Sequence, residues 1–191
     1  MSGMQRFKTF FGSMGRRKTR IKHAQLLYGM VVASARRPEL FSRFEIADSF
    51  DGRFEMLITH LYVLNAGLAQ HGDAGRALSQ GAFDLFIADM DAVLRELAVG
   101  DQVVPKRLAK MTRVVHGRAA AYDLARSSSD DPKQAVAQVV SRNVFDGREP
   151  QNAEHFMAEW ICGRINRFPS ESLANVIDDR RLFVIEEELR E

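Results

Sequence analysis

RFEMLITHLYVLNAGL (residues 53–68) places Phe54, Leu57, Ile58, Leu61, Leu64 and Leu68 at intervals of three and four, the spacing of one helical face. Asn65 lies inside that face and His60 at its edge. So large an apolar face needs a matching partner surface, and the segment reads as a helix buried in a core. Asp51 and Gly52 give a turn or cap signal before it, and the polar, glycine-containing residues 70–75 end it.

The same period extends outward on both sides. Upstream, Ile21, Ala24, Leu27, Tyr28, Val31 and Ala35 form a stripe that starts near Lys18 and closes at Pro38, after two arginines suited to a helix C-terminus. Residues 40–50 show no sustained period, so they read as an irregular connector held down by Phe41, Phe44, Ile46 and Phe50. Downstream, Phe83, Phe86, Ile87, Met90, Leu94 and Leu97 lead to Gly100 as a C-cap. Leu108, Met111, Val115, Ala119, Tyr122 and Ala125 mark a fourth long helix. Within it, Gly117 costs about 1 kcal/mol relative to alanine and would admit a close neighbour. Beyond the SSSDDP loop (127–132), Val136, Val139, Val140 and Phe145 indicate a shorter helix stopped by Gly147 and Pro150. Phe156, Trp160, Ile161, Ile165 and Phe168 form another face, with Pro169 as its stop and Ser170 as a cap. Leu173, Val176 and Ile177 continue helically, and RLFVIEE (181–187) is expected to be helix, since no second strand is visible to pair with it. The expected fold is all-α: a single compact multi-helix bundle over residues 18–191, with a basic N-terminal extension over 1–17.

Charge is unevenly spread. Arg6, Lys8, Arg16, Arg17, Lys18, Arg20, Lys22, Arg36 and Arg37 precede the first acid, Glu39, leaving 18 of the 27 basic residues against all 25 acidic ones. A net charge of +2 thus conceals a basic head on an acidic body. Phe7, Phe10 and Phe11 beside Arg16, Arg17 and Lys18 have the composition of an interfacial anchor for an anionic membrane; RNA and the chain's own acidic surface are the other candidate targets. No apolar run reaches the roughly 18–20 residues of a membrane span, and no secretory signal is expected.

Catalytic signatures are sparse. GxGxxG, Walker A, GxSxG and CxxC are absent, and the five histidines form no i, i+4 pair. The single cysteine, Cys162, on an apolar helix beside Trp160, reads as a buried structural thiol. At 100° per residue, Asp84, Asp91 and Arg95 border one side of their apolar stripe and Asp89 and Glu96 the other, which argues against a carboxylate dyad. His60 reads as a structural or interface residue ahead of a ligand or acid-base group, able to share a hydrogen bond with a carboxylate such as Asp89 or Asp91. Polar residues gather where the stripes meet loops: Asp48, Asp51, Gly52, Arg53, His60, Asp89, Asp91, Arg95, Glu96, Gly100, Asp101, Lys106, Gly117, Arg118, Tyr122, Arg142 and Asn143. Such residues fix helix crossings or line a groove offered to another protein.

Several of these residues stand in recognisable strings: LLYGMVVASARRPELF (26–41), DSFDGRFEMLITHLYVL (48–64), FIADMDAVLRELAVGDQVVPKRLAKM (86–111), HGRAAAYDLA (116–125) and SRN (141–143). Their order and spacing over about residues 25–145 resemble the ubiquinol-cytochrome c chaperone family, bacterial relatives of the mitochondrial assembly factor for the cytochrome bc1 complex. Ala47 stands where the family usually has a proline before DGRF, a departure that touches turn geometry. The resemblance implies an all-helical, non-enzymatic assembly chaperone of complex III without a cofactor. It would be cytoplasmic and peripheral at the inner face of the cytoplasmic membrane. Its implied partners are newly made cytochrome b or a cytochrome bc1 assembly intermediate, together with a ribosome or small partner protein. The implied binding residues are Asp51, Arg53, His60, Asp89, Asp91, Arg95, Glu96, Asp101, Lys106, Arg118, Tyr122, Arg142 and Asn143. The residues alone leave two alternatives: an RNA- or ribosome-associated basic adaptor, and a small helical enzyme with an unrecognised site.

Overall fold

The computed structural model describes residues 3–44, 46–98, 100–127, 130–179 and 182–183; the side chains of residues 3–16 and 43 lie outside that description. Among the described residues eight α-helices follow in order: α1 (Gly3–Ala35), α2 (Pro38–Phe44), α3 (Phe50–Leu68), α4 (Gly72–Glu96), α5 (Val104–Arg126), α6 (Pro132–Val144), α7 (Asn152–Arg167) and α8 (Leu173–Asp178). No strand occurs among the described residues, and the helices pack as one bundle, in agreement with the expected fold class.

Helix α3 is the axis. Met56, Leu57, Ile58, Thr59, His60, Leu61, Tyr62, Val63 and Leu64 are consecutive and all buried, so the single face read from the sequence is in fact burial on every side. Helices α1, α4, α5, α6 and α7 all contact it. From α1 come Ala24, Leu27, Tyr28, Val31 and Ala35, as the stripe predicted, whereas Ile21 is exposed. The helical backbone of α1 starts at Gly3, well before Lys18.

Three other expectations are corrected. Residues 40–50 are not wholly irregular: Pro38 opens the two-turn helix α2, which buries Leu40 and Phe44 and stacks Phe44 on Phe156 at 5.1 Å. Two turns are too short to display a period. Helix α4 starts at Gly72, ahead of Phe83; its first half shows no apolar stripe because glycines and alanines, which let neighbours approach, stand at many of its positions. A Cβ at Gly75 would lie 1.9 Å from the Leu68 carbonyl oxygen, and one at Gly81 2.9 Å from Ala24 Cβ. Gly117, by contrast, faces open space and admits no neighbour.

The C-terminal third closes the core. Asp131 caps α6 by accepting from the Gln134 amide at 3.0 Å. The turn before α7 is held by Glu154, whose buried carboxylate accepts from Arg148 Nε at 2.7 Å and from the Gln151 amide at 3.0 Å. Ser172, two residues beyond Ser170, caps α8. Leu182 and Phe183 form a buried turn; the rest of RLFVIEE and residues 188–191 lie outside the described residues.

His60 belongs to this core and does not reach Asp89 or Asp91. Its Nδ1 hydrogen-bonds the Met56 carbonyl oxygen at 2.8 Å, and its ring lies 4.7 Å from Trp160 and 5.9 Å from Phe183. Only 1% of the residue is exposed, and Nε2 has no partner. Burial, aided by Arg37 and opposed by the Met56 bond, lowers the imidazole pKa from 6.5 to about 4. The unfolded chain therefore binds the extra proton first, and stability falls as pH drops from 6.5 through about 4. Between pH 7 and 4.5 the native chain is expected to lose about 2 kcal/mol more than a His60→Leu variant, read by urea denaturation. Parallel losses in the two chains would contradict a neutral buried His60.

Candidate functional site

The N-terminal turn of α3 is built for a sharp entry. Ser49 accepts from the Gly52 amide at 3.1 Å, and Arg53 pairs with Asp48 at 2.6 Å while lying over the Phe41 ring at 5.7 Å. A side chain at position 52 would strike the Ala47 carbonyl oxygen at 2.0 Å, so the DGRF turn requires its glycine. This entry leaves Phe50 51% exposed and Phe54 half-buried beside it.

Across from that turn, α4 ends in Leu94 and Leu97, the latter 58% exposed. The left-handed residue that terminates α4 is Ala98 (φ 54°), so the expected Gly100 cap is displaced by two positions. Arg95 secures the turn into α5 by binding Asp91 at 2.7 and 3.2 Å and Asp101 at 2.8 Å. The Gly100 carbonyl accepts from the amides of Val103 and Val104, and Val104 is buried.

Helices α3, α4 and α5 thereby bound an open groove of about 630 Å³, lined by Phe50, Asp51, Phe54, Leu94, Leu97, Arg107, Lys110, Met111 and Val114. Phe50 and Phe54 also line an adjoining recess of about 170 Å³ with Arg36, Arg53, Leu57, Met90 and Val93. The floor is apolar and much of the rim is cationic. Such a cleft suits an apolar segment with a charged border.

The residues singled out from the sequence separate into several groups. Asp51 and Arg53 border the groove or its recess. Asp91, Arg95 and Asp101 form the clamp just described, and Glu96 and Lys106 are exposed nearby in sequence. Asp89 accepts from the Tyr28 hydroxyl at 2.8 Å and ties α4 to α1; burial and this bond raise the phenol pKa well above its ordinary value. Arg118 holds Glu55 through two bonds, at 2.9 and 3.2 Å, and ties α5 to α3. Tyr122, 1% exposed, stacks on Tyr62 and lies 3.5 Å from the Thr59 hydroxyl. Burial pushes its phenol up to about 12, so it contributes to the core as a neutral group. His60 and Tyr122 thus have almost no surface to offer a partner. Arg142 is exposed, and Asn143 is half-buried and hydrogen-bonded to Tyr122. Arg17 and Lys18 are exposed on α1, whereas the side chains of Phe7, Phe10, Phe11 and Arg16 lie outside the described residues.

Phe50, Phe54, Leu97, Arg107, Lys110, Met111 and Val114 were absent from the sequence-derived binding set. In the sequence Phe54, Leu97 and Met111 stand only as members of core stripes: Leu97 leaves the core just past the end of α4, while Phe54 and Met111 are partly buried and face both core and groove.

Among the described residues no three histidine, cysteine or acidic side chains gather as a metal site, and no helix is long and apolar enough to cross a membrane. Cys162 is buried, and desolvation raises its thiol pKa.

Residues 42–170 match the ubiquinol-cytochrome C chaperone family. The match takes in α3 to α7 and hence the whole groove. It extends past residue 145, where the motif resemblance ended, and begins just after the 26–41 string, which lies wholly outside it. The chain is also similar to the Cbp3 homolog from Brucella abortus, known from its crystal structure, with 30% identity and a TM-score of 0.74 over 87% of this chain and 92% of that chain. Comparison with curated proteins finds no match.

If the exposed groove residues serve binding, folding should not depend on them. Phe50→Ser is expected to change unfolding stability by less than about 1 kcal/mol, whereas Phe86→Ala, from a fully buried ring, should cost about 3–5 kcal/mol. Urea midpoints measure both, and a large loss in Phe50→Ser would return that residue to the core.

Proposed function

Because this chain belongs to the ubiquinol-cytochrome c chaperone family, we propose that it is a non-enzymatic chaperone of cytochrome bc1 complex assembly that holds newly made cytochrome b transiently in the groove between α3, α4 and α5. The observation that carries the reading is the exposed apolar pair Phe50 and Leu97, set on opposite walls of a cleft inside the family-matched region. Apolar area left in water at the mouth of a cleft is stabilised when a client segment covers it. A holding function needs contact and release, with no reacting group. The buried thiol of Cys162 and the neutral His60 and Tyr122 supply no activated nucleophile or base at the groove.

Deleting the chain is expected to lower assembled cytochrome bc1 complex while subunit transcripts stay near normal, with recovery on reintroduction. A photo-crosslinker at Phe50 or Leu97 should capture cytochrome b during synthesis, and one at exposed Gln138 on α6 should not. Normal complex levels without the chain, or equal capture from all three positions, would defeat the reading.

We assign the basic N-terminal segment, whose Arg17, Lys18, Arg20 and Lys22 are exposed cations on α1, to an anionic membrane surface. Removing residues 1–20 should weaken binding to phosphatidylglycerol vesicles while one cooperative unfolding transition is kept, since the buried residues of α1 begin at Ala24, and binding by the intact chain should fall as salt rises. Equal vesicle binding by both chains would remove the assignment.

A further inference from the structure

The first half of α5 is electrostatically unfavourable as it stands. Lys106 and Arg107 occupy its first turns, where the helix dipole is positive; no acid is present there, and Val103 provides no side-chain cap. Lys110 and Arg113 extend the charge. At 100° per residue the four cations fall within about 120° of one another, along one stripe. All four are exposed, and none has a carboxylate partner among the described residues.

Other arginines of this chain are differently placed. Arg53, Arg95, Arg118 and Arg148 each hold a carboxylate at 2.6–2.9 Å. On the α5 stripe local charge works against the helix that carries it, a conflict expected where a site awaits its ligand. Arg107 and Lys110 from this stripe stand directly on the groove, against the apolar floor of Phe54, Leu94, Leu97 and Met111.

Resting on the proposed holding function, we infer that the occupant of the groove is an amphipathic helix of a partner protein, with its apolar face on that floor and carboxylates one helical turn apart facing the α5 cations. Such an occupant removes the exposed apolar surface, pairs the stripe and offsets the charge conflict at the helix start, all in one geometry. Asp51 on the facing wall opposes a phosphate backbone filling the same cleft. A recessed floor is also poorly reached by a flat lipid surface.

The test uses the full chain and a fluorescein-labelled synthetic helix of about eighteen residues, with leucines at i, i+3, i+4 and i+7, glutamates along one border and glutamines along the other, which would face Asp51. The glutamate peptide should bind with an affinity that falls with salt, and its Glu→Lys counterpart at least about tenfold more weakly. Lys106→Glu/Arg107→Glu/Lys110→Glu should lose binding by a similar factor while its melting temperature rises, because acids suit a helix N-terminus. Leu97→Ser should weaken binding without changing the salt dependence. Equal binding of both peptides, unchanged affinity in the triple variant, or a fall in its melting temperature would overturn the inference. So would binding of polyuridylate RNA or phosphatidylglycerol vesicles that needs the same three cations while the glutamate peptide stays free. Cytochrome b crosslinking from Phe50 that persists while the glutamate peptide fails to bind would remove this occupant and leave the holding function standing. The converse result, peptide binding with normal complex levels in the deletion strain, would remove the holding function.

Discussion

Burial of α3 on all sides is the constraint from which the architecture follows. A helix satisfies its own backbone hydrogen bonds, so it can pass through a core if every direction around it is covered by apolar side chains. Five helices supply that cover. Where the covering helices come closest, the side chain is reduced to hydrogen: Gly67 lies under the Phe168 ring, which would stand 2.4 Å from any Cβ there, and Gly75 lies beside the Leu68 carbonyl. The long helices need no sheet to organise them because they share one axis.

Polar links then fix where each helix sits along that axis. Tyr28 to Asp89, Glu55 to Arg118, and Tyr62 to Asp123 each join residues more than 60 positions apart, all at 2.8–2.9 Å. Their partly buried oxygens lose water on folding and are satisfied in one register only. Tyr62 illustrates the economy of the arrangement: its ring stacks on Tyr122 while its hydroxyl donates to Asp123 and accepts from Arg126. The cations on the first half of α5 take no part in these links and have no carboxylate partner among the described residues.

Much of the fold was legible because long amphipathic helices write a period into the chain, and α1, α4 and α7 bury most of the stripes their sequences display, Ile21 and Leu97 being the exposed ends of two of them. What escaped has a physical cause in each case. Helix α2 spans only two turns, too few to show a sustained period, the opening of α4 is rich in glycine and alanine, and the left-handed residue after α4 is an alanine, where glycine is the usual marker. Charged residues drew attention to candidate binding positions, yet His60 and Tyr122 proved to be core. Burial is decided by what packs from outside the helix, and periodicity carries no record of that. The groove was the least legible feature, since Phe50 and Leu97 look like core residues until the ends of α3 and α4 are placed in space.

The closure of α3 by α7 bears on how the chain itself is made. Gln70 donates to the Ile165 carbonyl at 3.0 Å, and Gly67 is covered by Phe168, so the last cover for the axis arrives about a hundred residues after the axis has left the ribosome. At ordinary synthesis rates that interval is about 5–20 s, during which one flank of the most apolar helix stands in water. A protein whose proposed task is to shelter a hydrophobic nascent chain therefore has a nascent chain of the same kind, and its vulnerable period during synthesis is set by the distance along the gene between α3 and α7.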